Sequence, residues 1–340
     1  MVRVAVVGCG YWGPNIIRNF FQLPKSELVA VCDLDEKRLQ HQQSLYPNLI
    51  TSTDYNALLT NDQIDAVVLV TPAATHYKQA KAALEAGKHV LAEKPLTLNS
   101  DEAYELTELA KKLGLVLMVG HTFEYNPAVQ KIKELLEAKE LGDVFYVYAN
   151  RVNLGRYRDD INAFWNIAPH DISILLYLLG EMPTRVVATG ASYIKKGNED
   201  VVFATLFFPD NITAYVQASW LDPSKVRKMT VVGSKKMVIY DDVGSEGKIK
   251  IYDKGIFVPE EEELYGEYQY KLHSGDISIP KIAMSEPLKN ECSHFIECIE
   301  KGETPRSDGV SGWQVVRVLE AVEESLKNEN KVVEIKPYAG

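Results

Sequence analysis

Cysteine is scarce. Cys9, Cys32, Cys292 and Cys298 are scattered over 340 residues without a Cys-x-x-Cys pair, so no disulfide framework or zinc ribbon is encoded. The one metal-like grouping, Cys292, His294 and Cys298, lies in a segment of helical period and lacks a fourth ligand. No metal is expected there, and the cysteines read as small buried apolar residues. Long apolar runs are also missing; none approaches the ~20 residues of a membrane span. The stretch from Met1 to Gly10 reaches its glycines too early for a secretory signal. With free thiols, this makes the cytoplasm the expected compartment. Positive charge is short as well, with 37 Lys and Arg against 47 Asp and Glu, a net charge of −10. Such a surface repels nucleic acid and anionic lipid, so neither is expected as a partner. An anionic ligand would need a local basic pocket. Internal repeats and low-complexity tracts are absent too.

What is present is ordinary globular composition, 46% hydrophobic and 25% charged, in a chain long enough for about two domains. Over the first 120 residues two hydrophobic periods alternate. Short β-rich runs fall at 2–7, 28–32, 66–70, 89–92 and 116–119, and amphipathic stretches at 15–22, 36–46, 76–85 and 101–113. Runs apolar on both faces, alternating with helices, predict βαβ units in a parallel sheet. Asn99 with Glu102 has capping-box spacing, and Gly87 and Gly114 stand at helix ends. After Gly120 the texture changes. A helix opens at Asn126-Pro127 and runs to about 139, a strand covers 144–152, and a second helix runs from Pro169 to Gly180. Strand follows strand at 186–193, 201–208, 213–220, 228–232 and 237–240, which predicts a large, mostly antiparallel open sheet. Helices at 288–300 and 310–326 close the chain, and the acidic stretch 259–270 predicts a surface excursion. The fold class is therefore α/β: a doubly wound Rossmann domain over 1–122 and an α+β domain over 123–340.

Gly8, Gly10 and Gly13, with Tyr11 and Trp12 between them, follow the first strand and open the first helix. In that setting the first glycine permits a tight turn, the second lets backbone approach a pyrophosphate, and the third lets helix and strand pack closely. The phosphates would rest on unpaired N–H groups at the helix N-terminus. Asp33, twenty residues after Gly13, ends the second strand. A carboxylate there accepts ribose hydroxyls and repels a 2′-phosphate, so NAD is expected over NADP.

Ligands of doubly wound sheets collect beyond the carboxyl ends of the strands. Those ends carry Thr71-Pro72 with His76, then Glu93-Lys94-Pro95, then Gly120-His121. Together with Gly8–Gly13, Asp33 and the later Pro169-His170-Asp171, they fall in the order and spacing of one family. The sequence resembles the glucose–fructose oxidoreductase, inositol dehydrogenase and rhizopine catabolism family along essentially its whole length. The resemblance implies a Rossmann domain joined to a sheet domain that binds a sugar or cyclitol and forms the oligomer interface. It also implies a cis bond before Pro95 and cofactor contacts from Gly8, Gly10, Tyr11, Trp12, Gly13, Asp33, Thr71, Pro72, His76, Glu93 and Lys94. By the same resemblance Lys94 and His170 are the catalytic pair. A His of ordinary pKa ~6.5 can accept a hydroxyl proton near neutrality, while a cationic Lys94 stabilises alkoxide. Burial beside a positively charged nicotinamide can instead make the lysine the base. The sequence leaves both assignments open.

Two departures fall on the substrate side. Asn166 stands where the family commonly has Asp, so inositol-type oxidation is disfavoured, and Asp171 is the candidate to supply part of the missing charge. Glu124-Tyr125 replaces an Arg-aromatic pair. Tyr125, Arg156, Asn166 and Asp171 thus join Lys94 and His170 as expected substrate contacts. Arg151, Arg156 and Arg158 form a basic knot able to hold a diphosphate through bidentate forks, and Lys225, Arg227 and Lys228 form a second. Solvated strand-end charge, or salt bridges across an oligomer interface, is the alternative. The resemblance is nearest to members that oxidise nucleotide sugars at the 3-hydroxyl, so a UDP-sugar dehydrogenase is expected. A free-sugar or cyclitol dehydrogenase and a non-catalytic nicotinamide-dependent sensor are the alternatives. An open sheet with few helices to cover it predicts a homodimer or homotetramer.

Overall fold

The computed structural model describes residues 1–155, 157–257 and 271–338. Arg156 and the excursion expected at 259–270 lie outside them. Among the described residues no helix is long and apolar enough to cross a membrane. The chain forms two compact units.

In the first unit the order is β1 (Val2–Val7), α1 (Gly13–Gln22), β2 (Ser26–Cys32), α2 (Glu36–Leu45), β3 (Ile50–Ser52), α3 (Tyr55–Leu59), β4 (Ala66–Leu69), α4 (Ala73–Glu85), β5 (His89–Glu93), α5 (Ser100–Leu113) and β6 (Leu117–Gly120). The six strands lie parallel in the order β3-β2-β1-β4-β5-β6, the doubly wound arrangement whose strand ends form a ligand crevice. Val4, Val6, Val67 and Val68 are wholly buried, as expected of strands covered on both faces. The Asn99 side chain accepts from the backbone N–H groups of Asp101 and Glu102 and so caps α5, while Gly114 ends that helix in the left-handed region. A short 3-10 turn, Thr122–Tyr125, follows β6.

The second unit contributes α6 (Pro127–Glu137), β7 (Val144–Val152), α7 (Ala163–Ile167), α8 (Pro169–Leu179), β8 (Arg185–Ala191), β9 (Val201–Phe207), β10 (Thr213–Ser219), β11 (Val226–Gly233), β12 (Met237–Asp241), β13 (Ile249–Phe257) and β14 (Lys271–Ser278). Two further helices, α9 (Pro287–Lys301) and α10 (Gly309–Lys327), and the short β15 (Val333–Glu334) complete the chain. The nine strands run β14-β13-β12-β11-β7-β10-β9-β8-β15. Neighbours are antiparallel except β7 and β10, which pair in parallel from Tyr146–Thr213 to Val152–Ser219. Strand β8 stops at Ala191, short of the expected 193, because the N–H groups of Tyr193 and Ile194 leave the ladder and donate to the Asp200 carboxylate.

The division of the chain differs from the sequence boundary. Residues 1–125, 285–317 and 338–340 make the first unit, and 126–284 and 318–337 the second. Helix α9 was expected in the second domain, but its apolar stripe Leu288, Cys292, Phe295 and Ile296 is buried in the same core as Ile16 and Phe20 of α1. The Phe20 and Phe295 rings meet edge to face at 6.3 Å. Periodicity shows that a helix has a buried stripe, not which sheet it covers.

Within the second unit, one ion pair fixes α8 on the sheet. Arg151 of β7 donates from Nε and Nη2 to the two carboxylate oxygens of Asp171 at 2.7 and 3.0 Å, with both side chains buried. Removing one partner strands the other charge away from water. Asp171→Ala should therefore lose about 3–5 kcal/mol of stability, measured by chemical denaturation. Asp171→Leu combined with Arg151→Met should recover most of that loss.

Candidate active site

Strand β1 runs into Gly8, which has φ +101°. A Cβ there would lie 2.6 Å from the Val70 carbonyl oxygen, and a Cβ on Gly13 would lie 2.2 Å from that of Gly8. Packing within the protein itself requires both glycines. Gly10 is different: the nearest atom to its would-be Cβ is Arg38 Nη1 at 3.7 Å, so the protein leaves that space open. Helix α1 starts beside it with no capping side chain and no acid in its first turn, which leaves its positive end to an outside anion. Tyr11 is almost fully exposed. The Trp12 side chain donates to Glu93. An open cradle at Gly10, an uncapped helix start and a carboxylate at the end of β2 fit a dinucleotide.

That carboxylate is held firmly. Asp33 accepts from the backbone N–H of Cys9 at 2.6 Å and from that of Asp35 at 2.8 Å. Arg38 Nη1 stands 3.6 Å from its Oδ2. Beyond β4, Pro72 caps α4, and the Thr71 hydroxyl donates to Gln79 at 2.6 Å. His76 was expected to touch the cofactor, but it is 1% exposed. Its Nδ1 lies 2.9 Å from the Pro95 carbonyl oxygen and its Nε2 2.8 Å from that of Thr71. Both ring nitrogens face main chain, so the imidazole ties two loops together instead of presenting a nitrogen to a ligand.

Lys94 follows β5 directly, and the Lys94–Pro95 bond is cis. Glu93 feels the lysine charge and accepts the Lys94 backbone N–H at 3.3 Å. Its pKa is nevertheless raised, because burial outweighs these partners. His121, one residue past β6, is buried, and neither ring nitrogen has a hydrogen-bond partner among the described residues. Burial and the charge of Lys94 push its pKa down to about 3, so it is a neutral imidazole beside a cation.

Tyr125, expected on the substrate, lies instead in the core at 2% exposure. Its hydroxyl is 3.0 Å from Ser307 Oγ, and the Arg306 guanidinium sits over its ring. The 3-10 turn after β6 directs this ring inward. Sequence reasoning also passed over Glu291, a wholly buried acid of α9. The available signal was its place in the stripe Leu288, Glu291, Cys292, Phe295, where helical spacing puts it on the apolar face.

In the second unit, Asn162 caps α7 by accepting from the Trp165 N–H. Trp220 Nε1 donates to Asn166 Oδ1 at 3.2 Å. An indole N–H can only donate, so this contact fixes the orientation of the amide. His170 is half-buried in the first turn of α8, directly after Pro169. Asp171 is committed to Arg151, so the expected substrate contact from Asp171 is replaced by an internal ion pair. Other members of the basic knots form more exposed ion pairs. Arg158 is paired with Asp160, Arg227 with Asp242 at 3.2 Å and Lys228 with Asp241 at 3.5 Å. Thus Gly8, Gly10, Gly13, Asp33, Thr71, Glu93 and Lys94 gather at the strand ends of one unit, while in the other Asn166 lies in α7 and His170 at the start of α8.

The glycines separate two kinds of effect. Gly10→Ala should weaken NADH binding at least about tenfold, read by fluorescence titration, while stability changes by under about 1 kcal/mol. Gly13→Ala should lower stability as well, because its clash is with backbone.

The comparisons agree with this geometry. Residues 2–121 match the oxidoreductase family with an NAD-binding Rossmann fold, and residues 129–239 match the GFO/IDH/MocA C-terminal domain. The UDP-N-acetylglucosamine 3-dehydrogenase of Acidithiobacillus ferrooxidans is 28% identical, over 93% of this chain and 94% of that one. A solved structure of that enzyme superposes with a TM-score of 0.79, covering 97% and 99% of the two chains at 25% identity. The scyllo-inositol 2-dehydrogenase (NAD(+)) of Bacillus subtilis is 26% identical, over 96% of this chain and 94% of that one. With both family domains matched along most of its length, this chain belongs to the GFO/IDH/MocA family of oxidoreductases.

Proposed function

We propose that this oxidoreductase moves hydride between a secondary hydroxyl of a nucleotide-linked sugar, oxidised at C3, and NAD, with Lys94 and His170 as its catalytic residues. The observation that carries the reading is the open cradle at Gly10 beside the uncapped start of α1, with Lys94 at a strand end of the same sheet. The bound nicotinamide supplies the hydride acceptor. The chain must hold the hydroxyl and take its proton as the carbonyl forms. His170 is the group of suitable basicity, and the Lys94 ammonium stabilises the oxygen as it gains charge. Asp33 favours NAD because its carboxylate, fixed by the Cys9 N–H, repels a 2′-phosphate. Support for a UDP-sugar comes from the 28% identical relative. The internal pairing of Arg151, Arg158, Arg227 and Lys228 favours the second reading, a free sugar or cyclitol.

Lys94→Ala and His170→Ala should each lower turnover by about 10²–10⁴-fold with little change in NADH affinity. Turnover surviving both substitutions would refute the assignment. Millimolar UDP should raise the melting temperature of the NADH complex by mass action. No shift, with oxidation of unphosphorylated hexoses or inositols, selects the second reading.

We also propose that the second unit pairs with another copy through its sheet. Val147 and Ala149 of β7 face the buried side, so the alternate residues Tyr146 and Tyr148 share the other face with Tyr215, Phe203 and Phe207 by strand register. Aromatic surface of this kind is a docking surface. Sedimentation should give a mass at least twice 38.2 kDa. Tyr146→Glu with Tyr215→Glu should bring it down to the monomer.

A further inference from the structure

We propose that Glu291 is a positioning residue for the Glu93–Lys94 pair and acts as a carboxylic acid, not a carboxylate. The inference rests on Lys94 being catalytic but concerns a residue that the proposed reaction does not use. Glu291 lies on α9 with no exposed surface. Its Oε2 accepts from the Thr122 hydroxyl at 2.9 Å, and its Oε1 has no hydrogen-bond partner among the described residues. The acids that face it are Glu93 from β5 and Glu124 from the 3-10 turn, whose own carboxyls burial also pushes up, and the Cys292 thiol is next to it on α9. A bare carboxylate in that position would have one hydroxyl donor among the described residues and two acids facing it.

Neighbouring carboxyls that cannot both ionise divide a proton according to their surroundings. Glu93 has the charge of Lys94, the Lys94 backbone N–H and the Trp12 side chain to support a negative charge. Glu291 has only Thr122. Burial and the two acids together hold the Glu291 carboxyl well above the usual range. The proton therefore rests on Glu291 and the negative charge on Glu93, beside Lys94. In this unit Glu93 and the neutral His121 are among the titratable groups that face Lys94. Through Thr122, Glu291 also fixes the start of the turn that follows His121 and carries Glu124.

The test reads protonation and the titration of Lys94 without any sugar. Infrared spectra of protein carrying ¹³C-labelled glutamate side chains should show a carboxylic-acid C=O band at neutral pH that Glu291→Gln removes. The Lys94 midpoint can be followed by acetic anhydride labelling against pH, read by peptide mass spectrometry in the full chain. Glu93→Gln should move it toward acid by about one pH unit. Glu291→Gln, neutral and nearly isosteric, should leave it in place. Glu291→Leu, which loses the Thr122 bond, should displace it, with Gln as the rescuing substitution. Absence of the acid band, a Glu291→Gln shift as large as that of Glu93→Gln, or no displacement with Leu would each overturn the proposal. If these results hold but no sugar is oxidised, the proposed reaction fails and the role of Glu291 stands.

Discussion

The close contact of α1 with β1 at Gly8 and Gly13 governs the first unit. A side chain at either position would strike a main-chain carbonyl, so the helix start can sit beside the strand end only because both are glycine. That contact sets the uncapped start of α1 beside the open space over Gly10 and lets the Cys9 N–H reach Asp33. The loops after β4 and β5 must then border the same space, since parallel strands all deliver their carboxyl ends to one edge. His76 ties these two loops together through the carbonyls of Thr71 and Pro95.

Beneath Lys94 the interior is polar, which is costly unless each group finds a partner or gives up its charge. His121 resolves this by staying neutral. Tyr125 does so through Ser307, and Arg306 donates to the Glu124 carbonyl. The turn after β6, which reads as a substrate loop in the sequence, is therefore a wall of the site whose side chains pack inward against α9.

The second unit solves a different problem. Its α8 carries His170 on an otherwise strongly apolar helix, and Arg151 anchors that helix to β7 through Asp171. The same pairing withdraws an arginine and an aspartate from the substrate. Asn166, just before α8, is oriented by Trp220.

Much of this architecture is local in origin and legible in the residues. The alternation of period two and period 3.6, the capping Asn99, the glycines at 8, 10 and 13 and the prolines opening helices are short-range signals. They defined five of the six parallel strands and the edge where ligands gather. The sixth, Ile50–Ser52, and the helix Ala163–Ile167 were too short to show a period. Pairing was beyond the sequence's reach. The parallel contact of β7 with β10, the burial of α9 against α1, the inward turn of Tyr125 and the capture of Asp171 by Arg151 each join residues far apart in the chain. Sequence alone determined which side chains have the chemistry to meet an anion or exchange a proton, because that depends on residue type and near neighbours. Tertiary structure decided which remain available and which are spent internally, because a charge taken out of water must find its partner wherever the fold supplies one.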